Sequence, residues 1–348
     1  MLPDNFFEET PFFSDEHHRL AAGVRKFVEQ EIEPRAGAPD GDADAGFHEM
    51  LGLLAQAGLL RHAVRRTPSS FEWRSLCLIR EALAYSSPLA DLAFVTQGVG
   101  TYAIALAAPE HVRDFWLQRA VEGKAVAAFA LTEPEAGSDA GALQTTARRE
   151  ADAYIIDGRK RFVTNAGVAD FYTVFARTGT RSDGRALVSA FIVGAKMAGF
   201  RLLERTQLMG SHPLGEIEFA QVRVPAENLI GGEGEGFNLA MKTLDAYRAS
   251  VGAAACGMAK RALDEALDYA RRRQQFGVAI SQFQLMQAKL ADMSTELDAA
   301  RLLVYQAAYQ RDVHGDARDA RSARRSCSPR KRRAASLTAP CRSTALTA

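Results

Sequence analysis

The sequence is poor in cysteine and tryptophan, with four and two among 348 residues. Cys77, Cys256, Cys327 and Cys341 lie far apart, with no CxxC pair and no histidine at metal-ligand spacing. That pattern excludes a disulfide framework and a zinc site, and it implies reduced thiols and no bound metal. An excess of either charge is also missing: the formal net charge is +1. The molecule as a whole therefore gives no electrostatic case for nucleic acid or an anionic membrane. No apolar run reaches the ~18 residues of a membrane-spanning helix. The N-terminal MLPDNFFEET is acidic and lacks the basic and apolar regions of a signal peptide. Together these absences predict a soluble, cytoplasmic protein. No glutamate follows Glu296.

What is present falls into three textures. From Ser14 to about Lys124 the pattern is helical. Ser14-Asp15-Glu16 supplies an N-cap with acids in the first turn, Leu20, Val24, Phe27 and Val28 share one face, and Pro34 marks the end. FHEMLGLLAQAGLL, EWRSLCLIREALAYSS and PEHVRDFWLQRAVEG repeat the period. Between about Ala125 and Gly236 the runs are short, β-branched or aromatic, and bounded by Gly, Asp and Pro, as in FYTVFART and ALVSAFIVG. This reads as an antiparallel β-domain or small barrel. Asp157-Gly158 inside IIDGRKRFV predicts a hairpin turn. Helical texture returns after GGEGEGF. Met286, Leu290, Met293, Leu297, Ala300, Val304 and Ala307 alternate steps of four and three, an apolar seam at coiled-coil period.

Helix, antiparallel sheet and helix in that order predict an α+β fold. The expected division is a helical domain over 1–124, a β-domain over 125–236, a partial helical domain over 237–311 and a basic tail over 312–348. From Arg311 onward ten Lys and Arg face three Asp, without an aromatic residue. Such a segment cannot build an apolar face, so it is expected to be disordered. It reads either as a basic arm for nucleic acid or, with more weight, as the product of a frameshift or mis-assigned end.

The stretch ALTEPEAGSDAG, Ala130 to Gly141, follows an apolar run yet is too long and too specific for a simple turn. FALTEPEAGSD resembles the first flavin signature of the acyl-CoA dehydrogenases. GRKRFVTNAG resembles the second, LGEIEFAQVRVPAENLIGGEGEGF the strand that leaves the β-domain, and RRRQQFGVAISQFQ the arginine signature of the same family. The four matches are collinear between Ser14 and Arg311.

The resemblance implies FAD as cofactor, an acyl-CoA substrate and α,β-dehydrogenation of the thioester. It places Phe129, Leu131, Thr132, Gly137, Ser138, Phe162, Val163 and Thr164 against the cofactor. Thr132 would face the N1/O2 side of the flavin, Thr164 would lie near N5, and Phe162 would stack beside the ring. On the residues alone, Thr132 and Thr164 also read as β-formers at strand ends. Ser138, Asp245 and Arg248 would meet the substrate, although Asp245 and Arg248 also read as an i,i+3 surface pair. Arg273, Phe276 and Gln284 would reach a neighbouring subunit's FAD, with Arg suited to pyrophosphate by its rigid fork of donors. A homo-oligomer, tetramer or dimer, and electron-transferring flavoprotein as acceptor are implied as well.

The catalytic base is not assigned. The family keeps a glutamate either just before the arginine of an LDxxR stretch or in a later YEGT segment. In LDAYR the first position is Tyr247, a phenol whose unperturbed pKa near ~10 makes it a poor base. No YEGT is present. Glu133 and Glu135 are rejected as bases because the family keeps an acid at the Glu133 position in another role. The competing expectations are an enzyme read from a truncated or frame-shifted copy and an inactive flavoprotein-like binding or scaffold protein.

Overall fold

The computed structural model describes residues 6–36, 42–65, 71–208, 210 and 212–315. The basic segment from 316 onward, with Cys327 and Cys341, lies outside the described residues. In chain order the helices begin with α1 (Phe6–Glu9), α2 (Asp15–Phe27), α3 (Ala43–Gln56), α4 (Trp73–Ser86), α5 (Pro88–Ala107) and α6 (Glu110–Val121). The strands follow: β1 (Ala127–Ala130), β2 (Thr146–Glu150), β3 (Ala153–Thr164), β4 (Phe171–Thr180), β5 (Ala186–Gly194), β6 (Phe200–Arg205), β7 (Leu214–Pro225) and β8 (Leu229–Ile230). Then come α7 (Gly236–Arg272), a two-stranded hairpin of β9 (Gln274–Gln275) and β10 (Val278–Ala279), and α8 (Gln284–His314). The α+β class holds. The chain forms two compact units: one of residues up to Ala36, Glu72–Pro88 and from Arg248, the other of 37–71 and Leu89–Tyr247.

The first unit is helical. The Ser14 backbone N–H donates to His17 Nδ1 at 3.2 Å, so α2 starts on a capping box at the expected Ser14, with histidine in the position usually held by Glu or Gln. The α7–α8 seam packs Cys256 and Leu263 against Leu297, flanked by Leu290, Met293, Ala300 and Val304. Ala307, the last expected seam position, is exposed. A straight α-helix drifts across a strict 3.5-residue repeat, and one residue further round α8 Arg301, Tyr305 and Ala308 are buried instead. Asp312, on the last turn of α8, accepts from the Trp73 and Arg74 backbone N–H groups at 2.7 and 3.1 Å and so caps α4. The helix thus continues past the Arg311 boundary read from the sequence. Cys77 and Cys256 are free and buried, as expected of reduced thiols.

His17 Nε2 also approaches Glu72 Oε1 to 2.8 Å. That histidine, with Ser75 and Arg74 assisting against partial burial, holds the Glu72 carboxyl down at about 2. A depressed acid contributes stability above its ordinary pKa and loses it as pH falls through the folded value. Stability should therefore fall between roughly pH 4.5 and 2. Glu72→Gln should flatten this acid limb and cost about 1 kcal/mol at neutral pH, a figure kept small because the side chain is 40% exposed. Urea titrations across that pH range check it.

In the second unit, strand order is β6-β7-β3-β2-β4-β5-β8, with β1 beside β4. Most pairings are antiparallel, as expected, but β1–β4 and β2–β4 are parallel. The hairpin expected at Asp157-Gly158 does not form, because β3 runs unbroken through both residues. The bulge lies on the partner strand: between the Ile156–Val222 and Gly158–Phe219 pairs, β7 places Ala220 and Gln221 opposite Asp157 alone, with Gln221 at φ 54°. Asp157 accepts from the Gln221 backbone N–H at 2.9 Å. Gly158 sits at φ 144°, where a Cβ would come within 2.5 Å of Thr145 Oγ1. Tertiary pairing to β2 and β7 has outweighed the local turn signal.

Among the described residues, the 20-residue helix α5 is apolar and long enough to cross a membrane, yet most of it is buried within the protein. The apolar runs considered in the sequence missed it because Asp91, Thr96 and Gln97 interrupt them. Gln97 ties this helix to the sheet: its amide donates to the Ala125 carbonyl at 2.8 Å and accepts from Ala127 N–H at 2.7 Å.

Candidate cofactor site

At the end of β1 the chain enters the loop singled out in the sequence. Glu133 and Ala136 exchange backbone hydrogen bonds of 3.0 and 3.2 Å, so Pro134-Glu135 form a tight turn. The Glu133 side chain folds inward rather than toward solvent. It accepts from Thr145 N–H at 3.0 Å, from Gln144 N–H at 2.5 Å and from Lys160 Nζ at 2.7 Å. Burial raises its carboxyl pKa, but Lys160 and these amides outweigh that and hold it below the ordinary value. Glu133 is thus a fixed anion and unsuited to proton abstraction at neutral pH.

The two flavin-like signatures meet here. Arg161 N–H donates to the Thr132 carbonyl at 2.8 Å, and Lys160 Nζ donates to the Leu131 carbonyl at 3.1 Å. The contact needs an irregularity in β3, whose register with β7 shifts between Lys160 and Val163. Phe162 lies in that shift at φ 54°, a strained conformation for an aromatic residue. Its ring is 54% exposed, with the Arg161 guanidinium 5.0 Å from its centroid. Asn165 then locks the end of the strand. Its side-chain amide donates to Ala127 O at 2.8 Å and Thr96 Oγ1 at 2.9 Å, and its N–H donates to Pro213 O at 2.8 Å.

Thr132, Ser138 and Thr164 carry hydroxyls with no hydrogen-bond partner among the described residues, and a Cβ at Gly137 would meet nothing within 4 Å. A half-exposed aromatic ring, uncommitted hydroxyls and an open glycine segment suit a flat heteroaromatic ring with a polar edge and a phosphate tail. The residues present fit a flavin. Leu131 and Val163 turn their side chains into the core, and Phe129 packs on Phe175 with centroids 5.0 Å apart. Contact from Leu131 and Val163 is accordingly left to their backbone groups.

The remaining candidates are dispersed. Asp245 lies exposed on α7 in the second unit, and Arg248 is exposed on the same helix. Arg273, Phe276 and Gln284 belong to the first unit and are exposed. Phe276 and Gly277 form the turn between β9 and β10, both with positive φ (54° and 81°), the geometry of a type I′ hairpin. The Phe276 ring is left 95% exposed. Tyr247 is buried: its hydroxyl donates to Ala63 O at 2.6 Å, and its ring contacts Phe71 and Tyr102 edge-on. The LDxxR base position is therefore a committed core group.

Residue patterns gave no role to Lys160, Asn165 or Gln97. Lys160 stands among Arg159 and Arg161 and reads as one of three solvated charges; only its partner, 27 positions upstream, marks it as buried.

Three family models match consecutively: the acyl-CoA dehydrogenase N-terminal domain over residues 14–124, the middle domain over 128–222 and the C-terminal domain over 234–339. The chain belongs to the acyl-CoA dehydrogenase family. The C-terminal match extends beyond Arg311, where the motif resemblance ends. The 3-(aryl)acrylate reductase of Clostridium sporogenes is 38% identical over 307 residues, 86% of this chain and 81% of that protein. The structure of butyryl-CoA dehydrogenase from Megasphaera elsdenii superposes with a TM-score of 0.77 at 34% identity, covering 86% of this chain and 80% of that one. An acyl-CoA dehydrogenase complexed with FAD from Bacillus anthracis gives 0.78 at 30%, covering 89% and 55%.

Proposed function

We propose that this protein is an FAD-dependent oxidoreductase acting on the Cα–Cβ bond of an acyl-CoA thioester. The junction of the two signatures, with Thr132 and Thr164 hydroxyls uncommitted beside the exposed Phe162 ring, carries the reading. When bound, the flavin supplies the hydride acceptor. The protein's own part is to hold and orient. Thr132 and Thr164 donate to the ring edge, Phe162 covers it, and Gly137-Ser138 give backbone and hydroxyl donors to a phosphate. Arg248 and Asp245 orient the substrate, while Arg273, Phe276 and Gln284 act on the cofactor of a second copy. A homo-oligomer, a cytoplasmic location and electron-transferring flavoprotein as acceptor complete the proposal.

Tyr247 does not serve as base. Its hydroxyl keeps its proton in the hydrogen bond it donates to Ala63 O, so it presents no phenolate to take up a substrate proton. This one observation favours a second reading, a flavoprotein that binds acyl-CoA without oxidising it. Anaerobic titration of the FAD-reconstituted protein with a panel of acyl-CoAs separates the two. Bleaching of the flavin band by any of them supports the dehydrogenase; bound FAD that none of them bleaches supports the binding protein. Protein that takes up no FAD sinks both.

Thr132→Val and Thr164→Val each remove one neutral donor, worth about 0.5–1.5 kcal/mol. FAD affinity should fall roughly 2- to 12-fold for each, the same energy expressed as a ratio. Thermal stability of the FAD-free protein should stay within about 0.5 kcal/mol, as for substitutions away from packed or buried features. Flavin fluorescence titration and thermal melts check the pair.

A further inference from the structure

Lys160 and Glu133 form an ion pair almost without access to water: the side chains are 0% and 4% exposed and the charged atoms are 2.7 Å apart. Burial pulls the lysine down to about 8 against the pull of Glu133. Two buried charges are costly to keep, and an apolar pair of equal volume would pack as well. Packing therefore does not account for the pair; the backbone groups around it do. Glu133 accepts from Gln144 and Thr145 N–H, which close the neck of the loop at its far end, and Lys160 donates to Leu131 O at the near end. Lys160 also immediately precedes the register shift of β3, so the same anchor sets where Arg161 N–H meets Thr132 O and where the Phe162 ring stands.

We propose that the Lys160–Glu133 pair is the positioning element of the cofactor site, holding both ends of the 134–143 loop and the β3 irregularity in the one arrangement that receives the flavin. Neither residue needs to touch the cofactor. The inference rests on the flavin reading above, and its test is built so that the two can fail separately.

Lys160→Met and Glu133→Gln are compared with the unmodified full chain in two measurements. One is FAD affinity by fluorescence titration. The other is cleavage after Glu135 by a glutamate-specific protease in FAD-free protein, with cleavage after exposed Glu122 as the internal reference. Lys160→Met should raise the FAD dissociation constant at least tenfold. It should speed cleavage at Glu135 at least tenfold, with the Glu122 rate changing less than twofold. Glu133→Gln, which keeps the volume, should change both at least threefold, and it decides the matter if Lys160→Met does not fold. Loss of overall stability with unchanged FAD affinity and unchanged protection of Glu135 would make the pair merely structural and overturn the proposal. If the unmodified chain binds no FAD, the flavin reading fails, and the Glu135 cleavage rates still decide whether the pair holds the loop.

Discussion

Arg301→Ala lowers the unfolding free energy by about 3–5 kcal/mol, the usual cost of removing one partner from a buried ion pair. Arg301 is the largest fully buried side chain among the described residues, and its Nε and Nη2 reach Glu81 Oε1 at 2.7 and 2.6 Å. Tyr305 donates to the other Glu81 oxygen at 2.7 Å, and the Phe6 and Phe7 rings lie 4.3 and 4.9 Å from the guanidinium. Truncation leaves a buried carboxylate short of its main counter-charge and removes the platform on which the N-terminal aromatics rest. The double variant Arg301→Met/Glu81→Leu should recover most of the loss, because no charge is then stranded. Urea denaturation followed by circular dichroism gives both numbers. A single variant within 1 kcal/mol of the parent would show that the pair is solvated rather than buried.

Gly98→Ala should cost about 1–3 kcal/mol, the range for overpacking a well-filled core. A Cβ at this α5 position would come within 2.4 Å of Ala63 O and 2.5 Å of the Tyr247 hydroxyl. Both belong to the hydrogen bond that fills the LDxxR base position. Tyr247→Phe in the same chain relieves only the second clash, so it should recover part of the loss and never all of it. Thermal melts of the two single variants and the double variant measure the coupling. Full recovery would mean that the Ala63 carbonyl can move aside and that the backbone here is softer than its packing indicates.

Much of the fold was legible because local rules and tertiary demands agree. The Ser14 cap of α2, the α7–α8 seam from Leu290 to Val304 and the strand textures of β4 and β5 all appear where pattern places them. The helix α5 offered no periodic stripe, since helix, sheet and loop surround it and nearly every face is apolar. The Asp157-Gly158 signal was real but mis-assigned. Asp157-Gly158 favours a turn locally, and only the presence of β2 and β7 on either side of β3 decides that the strand continues through it, with the extra residue taken up in β7.

The candidate site divides in the same way. By itself the sequence determined the family and the residue types proposed for the cofactor: a threonine within each signature, an aromatic two residues before the second threonine, and small residues in the first loop. These are recognised by spacing along one strand and one loop, so linear order is enough. Tertiary structure alone decided that Lys160 and Glu133 are one buried pair, that Asn165 locks β3 to α5 and that Tyr247 is a core hydrogen-bond donor. Whether a polar group is solvated or committed depends on what lies across from it in space, and those partners are 27, 69 and 184 positions away in the chain.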